Sequence, residues 1–181
     1  EVTDIDISAA LEERRATVEG RVFSDAFNLT VNGGIDLAES SFDGFTTSFV
    51  LLRPSALAPN LRGRGLSAAL TMNGAFATPT VEYDIRAAQI VINDMGIENL
   101  RAQGQTDVDM TSMIVPVSAT ASRITGLDTV AGGRLTNIRL DGDIAIDGSR
   151  ILSDNMRLRS DRIDATLLLV ADTSTGLYTG A

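Results

Sequence analysis

Asp141, Asp143 and Asp147 come nearest, by type and spacing, to a cation site in this chain. An EF-hand loop needs oxygen ligands at a fixed spacing around an invariant glycine, and these aspartates do not have it. They alternate with Leu140, Ile144 and Ile146, so the solvated face of one strand accounts for them. The chain has no His and no Cys. That removes the commonest general base and metal ligand, and every thiol nucleophile or zinc-thiolate site. Gly63-Arg64-Gly65 lacks the strand-to-helix context and the lysine of a phosphate loop. Asn28-Leu29-Thr30 fits a glycosylation sequon but falls inside an expected strand. Arg157, Arg159 and Arg162 could meet an anionic headgroup, yet a solvated strand face explains them as well. No catalytic, metal or cofactor residue is assigned, and the chain is not expected to be an enzyme.

The same Asp-Gly stretch organises the fold. In Leu135 to Asp147, Ile138, Leu140, Ile144 and Ile146 share one parity, while Asn137, Arg139, Asp141, Asp143 and Asp147 share the other. A period of two reads as a strand with one apolar face. The phrase recurs at Leu29, Val31, Asn32, Gly33 and Ile35, running on to Leu37, and again at Leu70, Met72, Asn73, Gly74 and Phe76. Asn-Gly and Asp-Gly usually mark two-residue hairpins. A hairpin here would set Leu140 opposite Asp143, Thr71 opposite Phe76 and Thr30 opposite Ile35. Run straight through, each copy keeps a clean apolar face containing a glycine. We therefore expect three long strands whose inward glycines permit bending or close backbone approach. Asn137, Arg139, Asp141 and Asp143 should face solvent.

Similar alternation fills the rest. Strands are expected at Val2 to Ile7, Thr17 to Val22, Phe45 to Arg53 (after a turn at Ser40 to Gly44), Val81 to Arg86, Gln89 to Asn93 and Ile97 to Gly104. Val108 to Ile124 contains Pro116, which suggests an edge or bent strand. Further strands include Met156 to Arg159 and Ile163 to Ala171, the last with Leu167 and Leu169 inward. Pro54 to Pro59 should form one short helical turn capping the sheet, and Gly126 to Gly133 could hold another. Asp172 to Gly176 should turn into a strand opening at Leu177. Roughly a dozen strands with short turns make an all-β chain of long, mostly antiparallel strands.

Composition narrows the function. Apolar residues make up 44% and aromatics 4%, so Ile, Leu, Val and Ala must line any interior. The net charge of −9 argues against nucleic acid. The near-absence of aromatics denies an outer-membrane barrel its girdles. No apolar run is long enough for a membrane-spanning helix. Both ends read as mid-pattern, so residues 1–181 are expected to be one repetitive segment of a larger protein.

Gly74-Ala75-Phe76-Ala77-Thr78-Pro79-Thr80-Val81-Glu82-Tyr83-Asp84, with the runs Val130 to Ile138 and on through Leu158-Arg159-Ser160-Asp161, resembles the bacterial AsmA-like superfamily. In particular it is similar to alphaproteobacterial TamB-like proteins of the translocation and assembly module, with the YdbH branch as a sibling. The resemblance covers most of the chain through loose motifs. It implies a periplasmic protein anchored in the inner membrane, whose sheet curls into an open, taco-like groove with an apolar interior. It further implies conduction of phospholipid acyl chains toward the outer membrane, support of outer-membrane protein assembly, and an outer-membrane TamA-like partner bound through other regions. The groove lining would be Leu29, Val31, Ile35, Leu37, Leu70, Met72, Phe76, Ile138, Leu140, Ile144, Ile146, Leu167 and Leu169. The competing reading is a structural or adhesive β-solenoid segment of a secreted surface protein.

Overall fold

Period-two alternation builds strand after strand, each joined to the next by a short turn. The computed structural model describes residues 2–109, 112–127, 130–172, 174–175 and 177–180. Parts of three expected segments, at 110–111, at 128–129 and at 173 and 176, lie outside the described residues. The strands are β1 (Val2–Glu12), β2 (Arg15–Ser24), β3 (Phe27–Asp36), β4 (Ser41–Leu51), β5 (Leu61–Arg64), β6 (Leu66–Ala75) and β7 (Thr80–Ile92). They continue as β8 (Met95–Asp107), β9 (Ser112–Thr125), β10 (Arg134–Asp147), β11 (Arg150–Arg159), β12 (Asp164–Asp172) and β13 (Leu177–Gly180). All pair antiparallel, each with its neighbour in sequence, except that β4 pairs with β6 and β5 pairs with β7 alone. Among the described residues no ladder joins β1 to β13, so the sheet is open.

The Asx-Gly phrases run straight through. Asn32-Gly33 lies inside β3, Asn73-Gly74 inside β6 and Asp141-Gly142 inside β10. Two of these glycines serve close approach. A Cβ on Gly33 would lie 2.3 Å from the Phe45 Cα, and one on Gly142 would lie 2.7 Å from the Met156 Cα. Each faces a one-residue bulge in the following strand, at Gly44 in β4 and at Asp154-Asn155 in β11. Here the expectation for β4 is corrected. Asp43-Gly44 is a bulge inside a strand that begins at Ser41, because Gly44 takes φ +60° and its N–H donates to Asn73 Oδ1 at 2.8 Å. Phe42 and Phe45, three residues apart, thereby point the same way and pack at 5.6 Å.

For Pro116 the edge alternative is corrected. β9 is an interior strand, paired along its whole length with β10. Its ladder to β8, however, ends at Gln103↔Ser118. Beyond that point Tyr83 Oη donates to Pro116 O at 2.5 Å, and Thr106 Oγ1 donates to Ile114 O at 2.6 Å. Proline is tolerated because its missing N–H falls where the ladder has already stopped.

A second transverse line creases the sheet. Gly65, Asn99 and Asn137 all take left-handed φ, at +64°, +51° and +53°. Ala88 lies beside Gly65, and Asn99 Nδ2 donates to Ser122 Oγ at 2.9 Å. Asn and Gly tolerate this conformation where other residues are strained. Each left-handed residue shifts the alternation, so Ile97 with Leu100, and Leu135 with Ile138, turn to the same side. They pack with Ala121, Ile124, Leu127, Leu158 and Ile163 into a small core. The turn at Pro54–Ala56 is a 3₁₀ turn with Pro54 buried, and a second 3₁₀ turn spans Val130–Gly133.

Gly33→Ala should cost about 1–3 kcal/mol, because β4 must move away. Gly20→Ala, whose Cβ would meet nothing closer than 3.8 Å, should be neutral or slightly stabilising. Urea unfolding of both variants checks the pair, and equal stabilities would refute the close-approach role of Gly33.

Candidate functional site

One continuous row of side chains crosses the sheet. Ile5 pairs with Val22, Val22 with Leu29, Leu29 with Phe49, Phe49 with Ala68 and Ala68 with Ile85. Ile85 pairs with Ala102, Ala102 with Ala119, Ala119 with Leu140, Leu140 with Leu158 and Leu158 with Ala165. Every member is apolar. Ten strand intervals of about 4.8 Å make a track on the order of 50 Å long. Val31, Leu70 and Tyr83 belong to the adjoining row on the same face.

This apolar face is the sheltered one. Along β2 and β12 the inward side chains are half-buried and nearly all of the outward ones exposed. Among the described residues no second layer packs on either face, so curvature accounts for the difference, with the apolar side concave. The groove is nonetheless unfilled. Among the described residues the buried apolar side chains, apart from the prolines Pro54 and Pro79, are only Leu51, Ala87, Ala121, Leu135, Ile138 and Met156. On the same face Leu70 stays 38% and Ile85 41% exposed, and at the β1 edge Ile7 is 69% exposed. An apolar dent of 140 Å³ sits in the row, between Phe49, Leu66, Ala68, Ile85 and Ala87.

The expected lining residues divide into three groups. Leu29, Val31, Ile35, Leu70, Met72, Leu140, Ile144, Ile146, Leu167 and Leu169 lie at inward register positions of their strands. Leu37 and Phe76 lie just beyond β3 and β6, in turns: Leu37 N donates to Arg14 O, and Phe76 N to Ser40 O. The Phe76 ring still packs on Phe42 at 4.8 Å. Ile138 is 6% exposed and belongs to the creased core, where nothing can slide past it. The sequence reading passed over Phe49, Ala68, Ile85, Ala102 and Ala119. Apart from Ala68, which precedes the phrase in β6, they lie on strands that carry none of the three Asx-Gly phrases, and small alanines give a weak periodic signal.

The outward face is polar and laced with ion pairs. Asp84 accepts from Arg86 at 2.7 and 2.9 Å and from Arg101 at 3.0 Å. The Arg86 hydrogen bonds, helped by Arg101, hold the Asp84 carboxyl at about 2, below its ordinary 3.8. Arg157 binds Asp164 in the same bidentate way at 2.9 and 2.8 Å, which lowers the Asp164 pKa. Asp141 accepts from Ser118, and Asp143 from Asn155. The third phrase's aspartates therefore act as strand-face partners. Among the described residues no cluster of His, Cys, Asp or Glu could hold a metal ion. A 540 Å³ depression on this face, bordered by Glu82, Asp84, Gln103, Gln105 and Ser118, overlies the lapsed β8–β9 ladder. It is shallow, and its Asp84 is already committed to two arginines.

These features define an open, single-layer antiparallel sheet with an apolar concave face and a charged convex one. No protein-family model, curated protein or solved structure matches the chain.

Ile138→Asp should destabilise by about 3 kcal/mol or more, since it leaves an unpaired charge in a packed core. Leu70→Asp, already open to water, should stay within about 1 kcal/mol of the parent, so denaturant unfolding of the two variants measures how open the groove is.

The Asp84 carboxyl is depressed, so the stability it contributes is fully present above pH 3.8 and is lost as pH falls through about 2. A carbon-13 titration should place its midpoint near 2, and Arg86→Gln should return it toward 3.8. An unshifted midpoint in the parent would mean that the pair does not persist in solution.

Proposed function

We propose that this chain is a segment of a TamB-like member of the AsmA-like superfamily. In this reading the full-length protein is anchored in the inner membrane of a Gram-negative bacterium. The segment stands in the periplasm and carries phospholipid acyl chains along its concave face between the two membranes. The activity serves outer-membrane biogenesis and protein assembly, with an outer-membrane TamA-like partner bound elsewhere on the protein. The observation that carries the reading is the uninterrupted apolar row from Ile5 to Ala165, which crosses eleven strands and is covered by no second layer among the described residues.

The physical case rests on transfer energy. Each methylene taken out of water gains about 0.8 kcal/mol, so a chain of about 16 carbons faces a barrier on the order of 12 kcal/mol in the aqueous periplasm. A continuous apolar track removes most of that barrier and needs no residue-specific contact. A sliding ligand is best served by a surface that binds everywhere equally. The open side leaves the headgroup in water. Ala68, Ala102 and Ala119 keep the middle of the row low, so a tail can lie along it.

A photo-crosslinking side chain placed at 70, 85 or 140 should label phospholipid from vesicles or cells. The same probe at the outward positions 71, 86 or 141 should not. Leu140→Asp should cut labelling from position 85 several-fold while the fold persists, because an acyl chain cannot pass an ion and its water cheaply. Equal labelling from the two faces, or none from the inner one, would overturn the proposal.

A further inference from the structure

The convex face is polar over most of its extent, but one patch breaks the rule. On four adjacent strands Ile114 pairs with Ala145, Ala145 with Leu152, and Leu152 with Val170. All four are in outward register. Leu168 joins them from β12. Ile114 is 64% exposed, Leu152 40%, Leu168 50% and Val170 47%. Ala145, the small residue between Ile114 and Leu152, leaves a hollow of about 500 Å³ that these side chains enclose. Exposed apolar side chains grouped in this way mark an interaction surface rather than ordinary scatter.

Charge decides what kind of partner fits. Asp143 and Asp154 line one side of the hollow. On the other side, Asp147 and Asp172 flank Arg150 in the next register row. Four carboxylates against one guanidinium leave an acidic border. An anionic membrane surface is repelled by such a border. A second copy of this chain is disfavoured too, since the chain is acidic overall, with a net charge of −9. A polypeptide segment with an apolar stripe and flanking Arg or Lys satisfies both features. The row crosses three strand intervals, about 14 Å, which is the length of roughly ten residues of helix.

We infer that the convex face of β9–β12 is a docking site for a basic amphipathic helix of a partner protein, which seats a large apolar side chain over Ala145. The site lies on the face opposite the acyl-chain track and does not depend on it.

The probe is a fluorescein-labelled leucine/arginine amphipathic helix of roughly 18 residues, carrying one photoreactive phenylalanine on its apolar stripe. It should bind the parent chain in an anisotropy titration and weaken as salt is raised. A leucine/glutamate helix of the same pattern should not bind. Leu152→Ser with Val170→Thr should weaken binding about tenfold, as loss of an apolar anchor does. Asp147→Asn with Asp154→Asn should weaken it less and flatten its salt dependence. All four positions are exposed, and far-ultraviolet circular dichroism confirms that each variant folds. Photo-crosslinks should map to residues 114, 145, 152, 168 and 170. Equal binding of the glutamate helix, indifference to the Leu152/Val170 pair, or crosslinks to Leu70 and Ile85 on the concave face would each overturn the inference.

Discussion

The period of two ties every ladder in the sheet to every other. A one-residue slip between any two strands would turn all the inward side chains of one outward. An apolar row eleven strands wide therefore exists only because each register agrees with the one before it. The bulges obey the same constraint. The extra residue at Gly44 shifts the pairing of β4 with both β3 and β6, and the one at Asp154-Asn155 shifts β11 against both β10 and β12. Since both neighbours see the same shift, they stay in phase with each other and the apolar face continues across. Gly33 and Gly142 give the bulged strands room, and the side chains of Asn73 and Asn155 occupy backbone groups that the bulges leave without ladder partners.

A single-layer sheet has no second layer to hide its apolar side, so its curvature and local closures decide what stays wet. The crease through Gly65, Asn99 and Asn137 gathers Leu135, Ile138 and Ala121 into a small dry core along one side. The rest of the concave face keeps half-exposed aliphatic side chains. Such a surface is costly to leave in water, at about 25 cal/mol per Å², and it suits an apolar ligand that comes and goes. Stability must come instead from the long ladders and the packed edge. The charged pairs of the convex face, whose arginines are about half exposed or more, contribute little individually.

The interval between β8 and β9 divides the sheet into two unequal parts. Both flanking ladders, β7–β8 and β9–β10, are complete, yet β8 and β9 share regular pairing only up to Gln103↔Ser118. Two hydroxyls, those of Tyr83 and Thr106, then take over from backbone amides. The outward apolar patch begins on the strand just past this lapse, at Ile114, so the lapse and the patch occur in the same part of the molecule.

Much of this architecture was legible in the residues. Alternation as plain as that of Ile138 to Ile146 specifies a strand and its apolar side, because side-chain direction in a strand follows parity alone. Phase also settled the Asn-Gly and Asp-Gly phrases, where a hairpin would have opposed Leu140 to Asp143. Absence of His and Cys removed whole classes of chemistry without any coordinates. What parity could not reveal is where it is broken. Phe42 and Phe45, or Leu135 and Ile138, lie three residues apart and face the same way only because a neighbouring strand accommodates a bulge or a left-handed residue between them. Pro116 looked like an edge signal because local sequence cannot tell the edge of a sheet from a lapse between two interior strands. The row through Phe49, Ala68, Ile85 and Ala102 is likewise a tertiary fact, since it runs across the chain and cross-strand register brings together residues that no local pattern connects.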